Sequence, residues 1–229
     1  METILLITFA KNRQFCRTAV ATSGCFSVQE RIEKMRACVA VLGLALVSCL
    51  PAGQQQKGEA SLAADSLLAL AEQGDVQAQL RRGMDCDKAG RYDEAARWYR
   101  QAAEQGDARA QNNLGVLYKD GQGVGQDYAE AARWFALSAG QGNTLAQSNL
   151  GWLYQNGLGV EQDFAVAERL YRLAAAKGHA AAQNNLGTMF LHGMGLPCDT
   201  DSACYWFDLA AQQGLPVARQ NVARLRNKE

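Results

Sequence analysis

A repeat constrains this chain more than any other feature. Gly106 to Gly115 reads GDARAQNNLG, Gly142 to Gly151 reads GNTLAQSNLG and Gly178 to Gly187 reads GHAAAQNNLG. Gly74, Gly106, Gly142, Gly178 and Gly214 follow one another at 32, 36, 36 and 36 residues. A fixed period of this length is the signature of a solenoid, whose units bury their apolar faces only by stacking on neighbours.

Each unit carries two helical patterns. In the first, Ala110, Leu114, Leu117 and Tyr118 recur at three- and four-residue spacing and form one apolar face. Asp107 is the expected N-cap and Gly121 the stop. The second is predicted to begin at Asp127, with Glu130 completing a capping box. It turns Ala131, Trp134, Phe135 and Ala139 inward. Equivalent sets are Ala167, Leu170, Tyr171 and Ala174, then Ala203, Trp206, Phe207 and Ala210. Gly115, Gly151 and Gly187 fall in mid-helix, where glycine costs about 1 kcal/mol against alanine. That repeated cost predicts a close helix approach, with Ala131, Ala167 and Ala203 as the opposing small residues. Residues 75–105 form a degenerate unit four residues shorter, in which Arg82, Asp85 and Cys86 replace the leucines and tyrosine; Cys86 is expected to pack as a small core residue. A lone second helix before it and a last first helix from Val217 to Arg226, after Pro216, bring the expected total to ten.

These residues resemble the Sel-one-like repeat (SLR) family, relatives of the tetratricopeptide repeat. The family pattern is A-Q-x-x-L-G-x-x-Y-x-x-G-x-G-V-x-x-D, then A, W and A-A-x-x-G. Ala110 to Gly142 and Ala146 to Gly178 match nearly throughout, and Ala182 to Gly214 departs at Phe190, Leu196 and Pro197. The resemblance implies an all-α fold, an α/α superhelical solenoid whose first helices line a concave face, and an adaptor that holds other proteins. The expected organisation is a leader at 1–48, a tether at 49–60 and a solenoid at 61–229. The solenoid divides into a capping helix at 61–74, the degenerate repeat at 75–105, repeats at 106–141, 142–177 and 178–213, and a final capping helix at 215–226.

The leader has its own logic. Ala37 to Leu50 (ACVAVLGLALVSCL) is too short to span a bilayer but suits a signal-peptide core, and Arg31, Lys34 and Arg36 precede it. Leu46-Val47-Ser48-Cys49 resembles a bacterial lipobox, which implies cleavage before Cys49 and a lipid on its thiol. An ordinary secretory signal and a buried helix are the alternatives. Residues 1–34 make a long prefix, so translation is open to starting at Val28 or Met35. Leu50, where an Asp would favour inner-membrane retention, leans the expectation to the periplasmic side of the outer membrane, with a soluble periplasmic protein second. Pro51 to Glu59 is polar and reads as a tether. Residues 1–48 hold six basic and three acidic residues, so their removal leaves 17 basic against 20 acidic. That balance argues against a nucleic-acid footprint and leaves the lipid as the membrane contact.

Catalytic chemistry is thin. His179 and His192, the only histidines, stand at polar repeat positions. His192, Cys198 and Cys204 are spaced too widely for a usual zinc site and lack a fourth ligand. Cys198 and Cys204 remain a possible disulfide in an oxidising envelope. Gly121-x-Gly123 recurs at Gly157 and Gly193 without the lysine of a phosphate loop, so it reads as a turn. The cysteine-rich branch of the family has a cysteine pair in each repeat and is associated with penicillin binding; this chain has neither such pairs nor an S-x-x-K nucleophile. No catalytic residue, metal or cofactor is expected.

Binding chemistry falls on the first helices. The expected partner-binding residues are Trp152, Arg109, Asn112, Lys119, Ser148, Gln155, Asn184 and Thr188. Trp152 stands where Val116 and Thr188 stand in neighbouring units; it is either an interface anchor or a filler between repeats. Asn113, Asn149 and Asn185 recur with the pattern and read as structural. The expected role is a lipid-anchored module binding a protein partner, either a toxic effector that it neutralises as an immunity protein or a subunit of an envelope machine. An envelope hydrolase and a cytoplasmic adaptor with an uncleaved leader are the rival readings.

Overall fold

A computed structural model describes residues 64–226. The leader, Cys49, the tether at 49–60 and the start of the expected capping helix lie outside the described residues. The chain divides into two units, Met1–Leu67 and Leu68–Glu229; the second holds the repeats. Ten helices and no strands occur among the described residues. They are α1 (64–72), α2 (Val76–Lys88), α3 (Tyr92–Glu104), α4 (Ala108–Asp120), α5 (Tyr128–Gly140), α6 (Thr144–Asn156), α7 (Phe164–Ala176), α8 (Ala180–His192), α9 (Thr200–Gln212) and α10 (Pro216–Arg226). From α2 onward each packs on the next in chain order, and Gln79 of α2 reaches the Ala71 carbonyl of α1, so first helices (α2, α4, α6, α8, α10) alternate with second helices.

Local chemistry sets the boundaries. Asp107 accepts from the Arg109 and Ala110 amides at 2.9 Å, and Asp127 from those of Ala129 and Glu130. The expected capping box is not completed: the Asp127 amide donates to the Tyr118 carbonyl at 3.0 Å, and Glu130 pairs with Arg133 at 3.0 Å. α4 ends at Gly121 in the left-handed region, φ 68°. Two residues on, Gly123 is left-handed too, and a Cβ there would strike the Tyr92 backbone at the start of α3. Gly159 meets Tyr128 in the same way. The glycine pair therefore seats each turn on the preceding second helix.

Phe135, Tyr171 and Phe207 are fully buried, as are Leu114, Leu153 and Leu186. Of the expected apolar-face residues, Tyr118 and Trp206 are only partly buried. The mid-helix glycines are tight, but aromatic rings rather than the expected alanines come nearest; only at Gly187 does the opposing alanine also approach, the Ala203 carbonyl standing 3.2 Å from a would-be Cβ. A Cβ on Gly115 would stand 2.7 Å from Phe135 Cε1, and one on Gly151 2.9 Å from Tyr171 Cε1. Gly83, unnoticed in the degenerate unit, meets Tyr99 at 2.5 Å. The second helix presses an aromatic ring edge onto the first helix, and glycine makes room for it. Cys86 is fully buried, as expected, with its sulfur 3.6 Å from Arg91 and from Glu94.

Buried glutamines bind successive helices. Gln79, Gln111, Gln147 and Gln183 donate to the carbonyls of Ala71, Ala103, Ala139 and Ala175 at the ends of the preceding second helices. Gln105, Gln141 and Gln213 in turn donate to Gln79, Gln111 and Gln183 at 2.7–2.8 Å. Lys177 replaces the fourth donor and reaches the Gly142 carbonyl instead. Gln147 Oε1 is left buried and without a partner among the described residues.

Candidate partner-binding face

The eight expected residues separate into three groups. Asn112, Ser148 and Asn184 are corrected: they are buried, at 4%, 6% and 8% exposure, in the seam between consecutive first helices. Asn112 Oδ1 accepts from Asn149 at 3.2 Å, and Asn184 Oδ1 from Asn221 at 3.0 Å. The helical period placed them off the core face of their own repeat, but stacking the next repeat covers that side.

Gln155 and Thr188 are half-buried. Gln155 Oε1 accepts from the Tyr171 hydroxyl at 2.8 Å, and its amide points to the Met194 sulfur at 3.5 Å. The Thr188 hydroxyl donates to the Asn184 carbonyl within its own helix at 3.0 Å. Met194, in the turn after α8, was not legible as part of this face because a turn has no helical period.

Trp152, Lys119 and Arg109 face solvent to different degrees. Trp152 is 37% exposed and lies in none of the buried clusters. Lys119 Nζ sits 5.9 Å from its ring centroid, within cation–π range, and pairs with Asp120 at 3.4 Å. The two residues come from consecutive first helices, α4 and α6, so stacking alone brings them together. Arg109 is at the other end of α4, ten residues and about 15 Å of helix away from Lys119, where it contacts Gln77 and Asp107. It does not join the cluster. Neither α6 nor α8 carries Asp, Glu, Lys or Arg, so Lys119 and Asp120 border an otherwise neutral surface.

The candidate chemical residues are also placed. His179 caps α8, its Nδ1 accepting from the Ala182 amide at 3.3 Å, and burial lowers its pKa. Burial raises the Tyr99 and Tyr171 hydroxyls, with Asp87 adding to the rise at Tyr99. The Cys198–Cys204 disulfide that the sequence left open is not formed. Cys198 lies in the turn before α9 and its thiol donates to the Leu191 carbonyl at 3.2 Å, whereas Cys204 sits inside α9. Among the described residues, no three His, Cys, Asp or Glu side chains are grouped to hold a metal ion.

Comparison with known proteins adds family evidence. A family model described as Sel1 repeat matches residues 78–107, 108–143, 144–179 and 180–215. No curated protein matches the chain. Among solved structures, it is similar to a protective antigen present in uropathogenic Escherichia coli strains that displays an SLR fold, at 30% identity and a TM-score of 0.67. That match takes in 82% of this chain and 40% of the antigen. It is also similar to a Sel1 repeat protein from Oxalobacter formigenes, at 27% identity and a TM-score of 0.61, over 70% of this chain and 74% of the other.

Proposed function

The chain belongs to the Sel1 repeat family, and from that premise we propose that it is a non-catalytic protein-binding module that docks its partner on the Trp152–Lys119 surface. One observation carries this reading. A tryptophan is exposed on a neutral helix face, with a lysine from the neighbouring repeat held beside its ring. Exposed tryptophans with a flanking cation are the type of residue that dominates protein interfaces. The partner's matching surface would offer an apolar pocket for the indole and a carboxylate for Lys119.

Cys49, at the end of an apolar stretch and ahead of a polar tether, supports lipid anchoring on the periplasmic side of the outer membrane. The likeness to a protective antigen is in keeping with an envelope location. Within that setting the module acts either as an assembly adaptor for envelope machinery or as an immunity protein against a secreted toxin.

Crosslinked capture from envelope extract, with Trp152→Ala and Lys119→Glu as controls, tests the binding face. A partner recovered by the native chain and lost with both variants supports it; recovery unchanged by either overturns it. Fatty-acid labelling abolished by Cys49→Ser tests the anchor separately.

A further inference from the structure

The Trp152 surface has a second end. Leu145 precedes Trp152 by seven residues on α6. Seven residues are just under two turns, so both side chains leave the same side of α6, about 10.5 Å apart. Leu145 is 51% exposed, more open than the tryptophan. Each of these apolar groups has a cation beside it on α4. Lys119 lies at the Trp152 ring. At the other end Asn143, the cap of α6, donates to the Ala108 carbonyl at 3.2 Å. That bond sets the starts of α4 and α6 side by side, with Arg109 and Leu145 as the first outward residues of each.

The two edges of this face differ. The Arg109 side chain is 63% exposed, and it touches neutral Gln77 and, at 4.0 Å, Asp107. The Asp107 carboxylate already caps α4, which leaves the Arg109 charge mostly open; at the other end Asp120 partly offsets Lys119. On the opposite edge α8 supplies Ala181 and Thr188, both half-buried, and has no Asp, Glu, Lys or Arg. An apolar line thus runs along α6 between a cationic edge and a neutral one. Its dimensions select a shape. A β-strand repeats its side chains on one face at about 6.7 Å or about 13 Å, and neither fits. Residues i and i+7 of an α-helix lie on one face about 10.5 Å apart. A polyproline II chain comes near that spacing, at about 9.3 Å over three residues. It is too thin, however, to reach rows that packed helices hold about 8–10 Å to either side, whereas a helix about 10–12 Å across touches both.

We propose that the partner docks an amphipathic helix along α6, with apolar residues i and i+7 on Leu145 and Trp152 and carboxylates on one flank only, facing Arg109 and Lys119. Those two cations are ten residues apart on α4, so the matching carboxylates stand about ten or eleven residues apart on the partner helix. This rests on the Trp152–Lys119 reading and gives its partner a form.

Photo-crosslinking with the full chain in envelope extract tests this. Benzoylphenylalanine is placed at position 145 or at position 152, both exposed, and a thermal melt checks that each chain still folds. Both positions are expected to label one partner segment, at residues about seven apart. Leu145→Gln, which copies Gln77 of the degenerate unit, and Arg109→Glu are each expected to lower labelling from position 152 about tenfold. Leu137→Gln, at a similarly exposed leucine on α5, is expected to leave it unchanged. Labels about three residues apart, the mark of an extended chain, overturn the proposal. So do labels on separate partner segments, labels on a second copy of this chain, or labelling from position 152 that ignores Leu145→Gln and Arg109→Glu. Labels three apart, labels on separate segments and indifference to those variants leave docking at Trp152 and Lys119 standing, whereas no label from either position overturns both readings.

Discussion

Asn149 donates its side-chain amide to Asn112 at 3.2 Å, and the residue that forces this is Phe135, which has no hydroxyl. Where the preceding second helix offers tyrosine, the equivalent asparagine lies beside its hydroxyl and favours the charged form: Asn113 at Tyr99 and Asn185 at Tyr171. Where it offers phenylalanine, the asparagine turns to the neighbouring first helix, as Asn149 does to Asn112 and Asn221 to Asn184. Leu80 and Ser148 stand in the place of Asn112 and Asn184 at the two junctions where tyrosine already satisfies the amide.

This coupling predicts a rescue. Tyr171→Phe strands Asn185 and Gln155 and is expected to cost about 1–3 kcal/mol. Adding Ser148→Asn gives Asn185 an acceptor and is expected to recover part of that loss, while Ser148→Asn alone recovers nothing. Urea melts of the four combinations, analysed as a double-mutant cycle, measure the coupling. Strict additivity would break the argument.

The ring against Gly151 reverses an ordinary substitution. Gly→Ala in an open helix gains about 1 kcal/mol. At Gly151 the new Cβ would meet Tyr171, and overpacking of about 1–3 kcal/mol is expected to make the variant less stable. Gly140, helical with nothing within 4 Å of its would-be Cβ, is the control and is expected to gain. Denaturation midpoints moving in opposite directions confirm the assignment.

Lys177→Gln is expected to raise stability by about 1 kcal/mol. It supplies the amide that Gln147 Oε1 lacks and that the other three repeats already contain. A thermal melt decides it, with unchanged stability counting against the buried unpaired oxygen.

His179 makes stability depend on pH. Only the neutral ring can accept from Ala182, and burial holds the folded-state pKa below the ordinary 6.5. The unfolded chain therefore binds the proton more readily. The stabilisation is complete above about 6.5, the unfolded value, and is lost as pH falls through the folded one. His179→Asn, which copies Asn143 of the preceding repeat, is expected to flatten the melting midpoint between about pH 7.5 and pH 5. An unchanged slope would assign the dependence elsewhere.

Much of this was legible in one dimension. The 36-residue glycine register, the aspartate caps and the apolar spacing determine ten helices and their order, because backbone hydrogen bonding and helical period are local. The same period marked Trp152 and Lys119 as outward. It also marked Asn112, Ser148 and Asn184 as outward, and there it failed: a helix's own period identifies the face that meets its partner within the repeat, not the face that the next repeat covers. What lies opposite Gly151 was decided only when the two helices of its repeat packed together, and which acceptor Asn149 chooses and which glutamine lacks a donor only when further helices were stacked. These are contacts across 20 to 37 residues of sequence, and their sign depends on a ring edge or a hydroxyl that spacing alone does not locate.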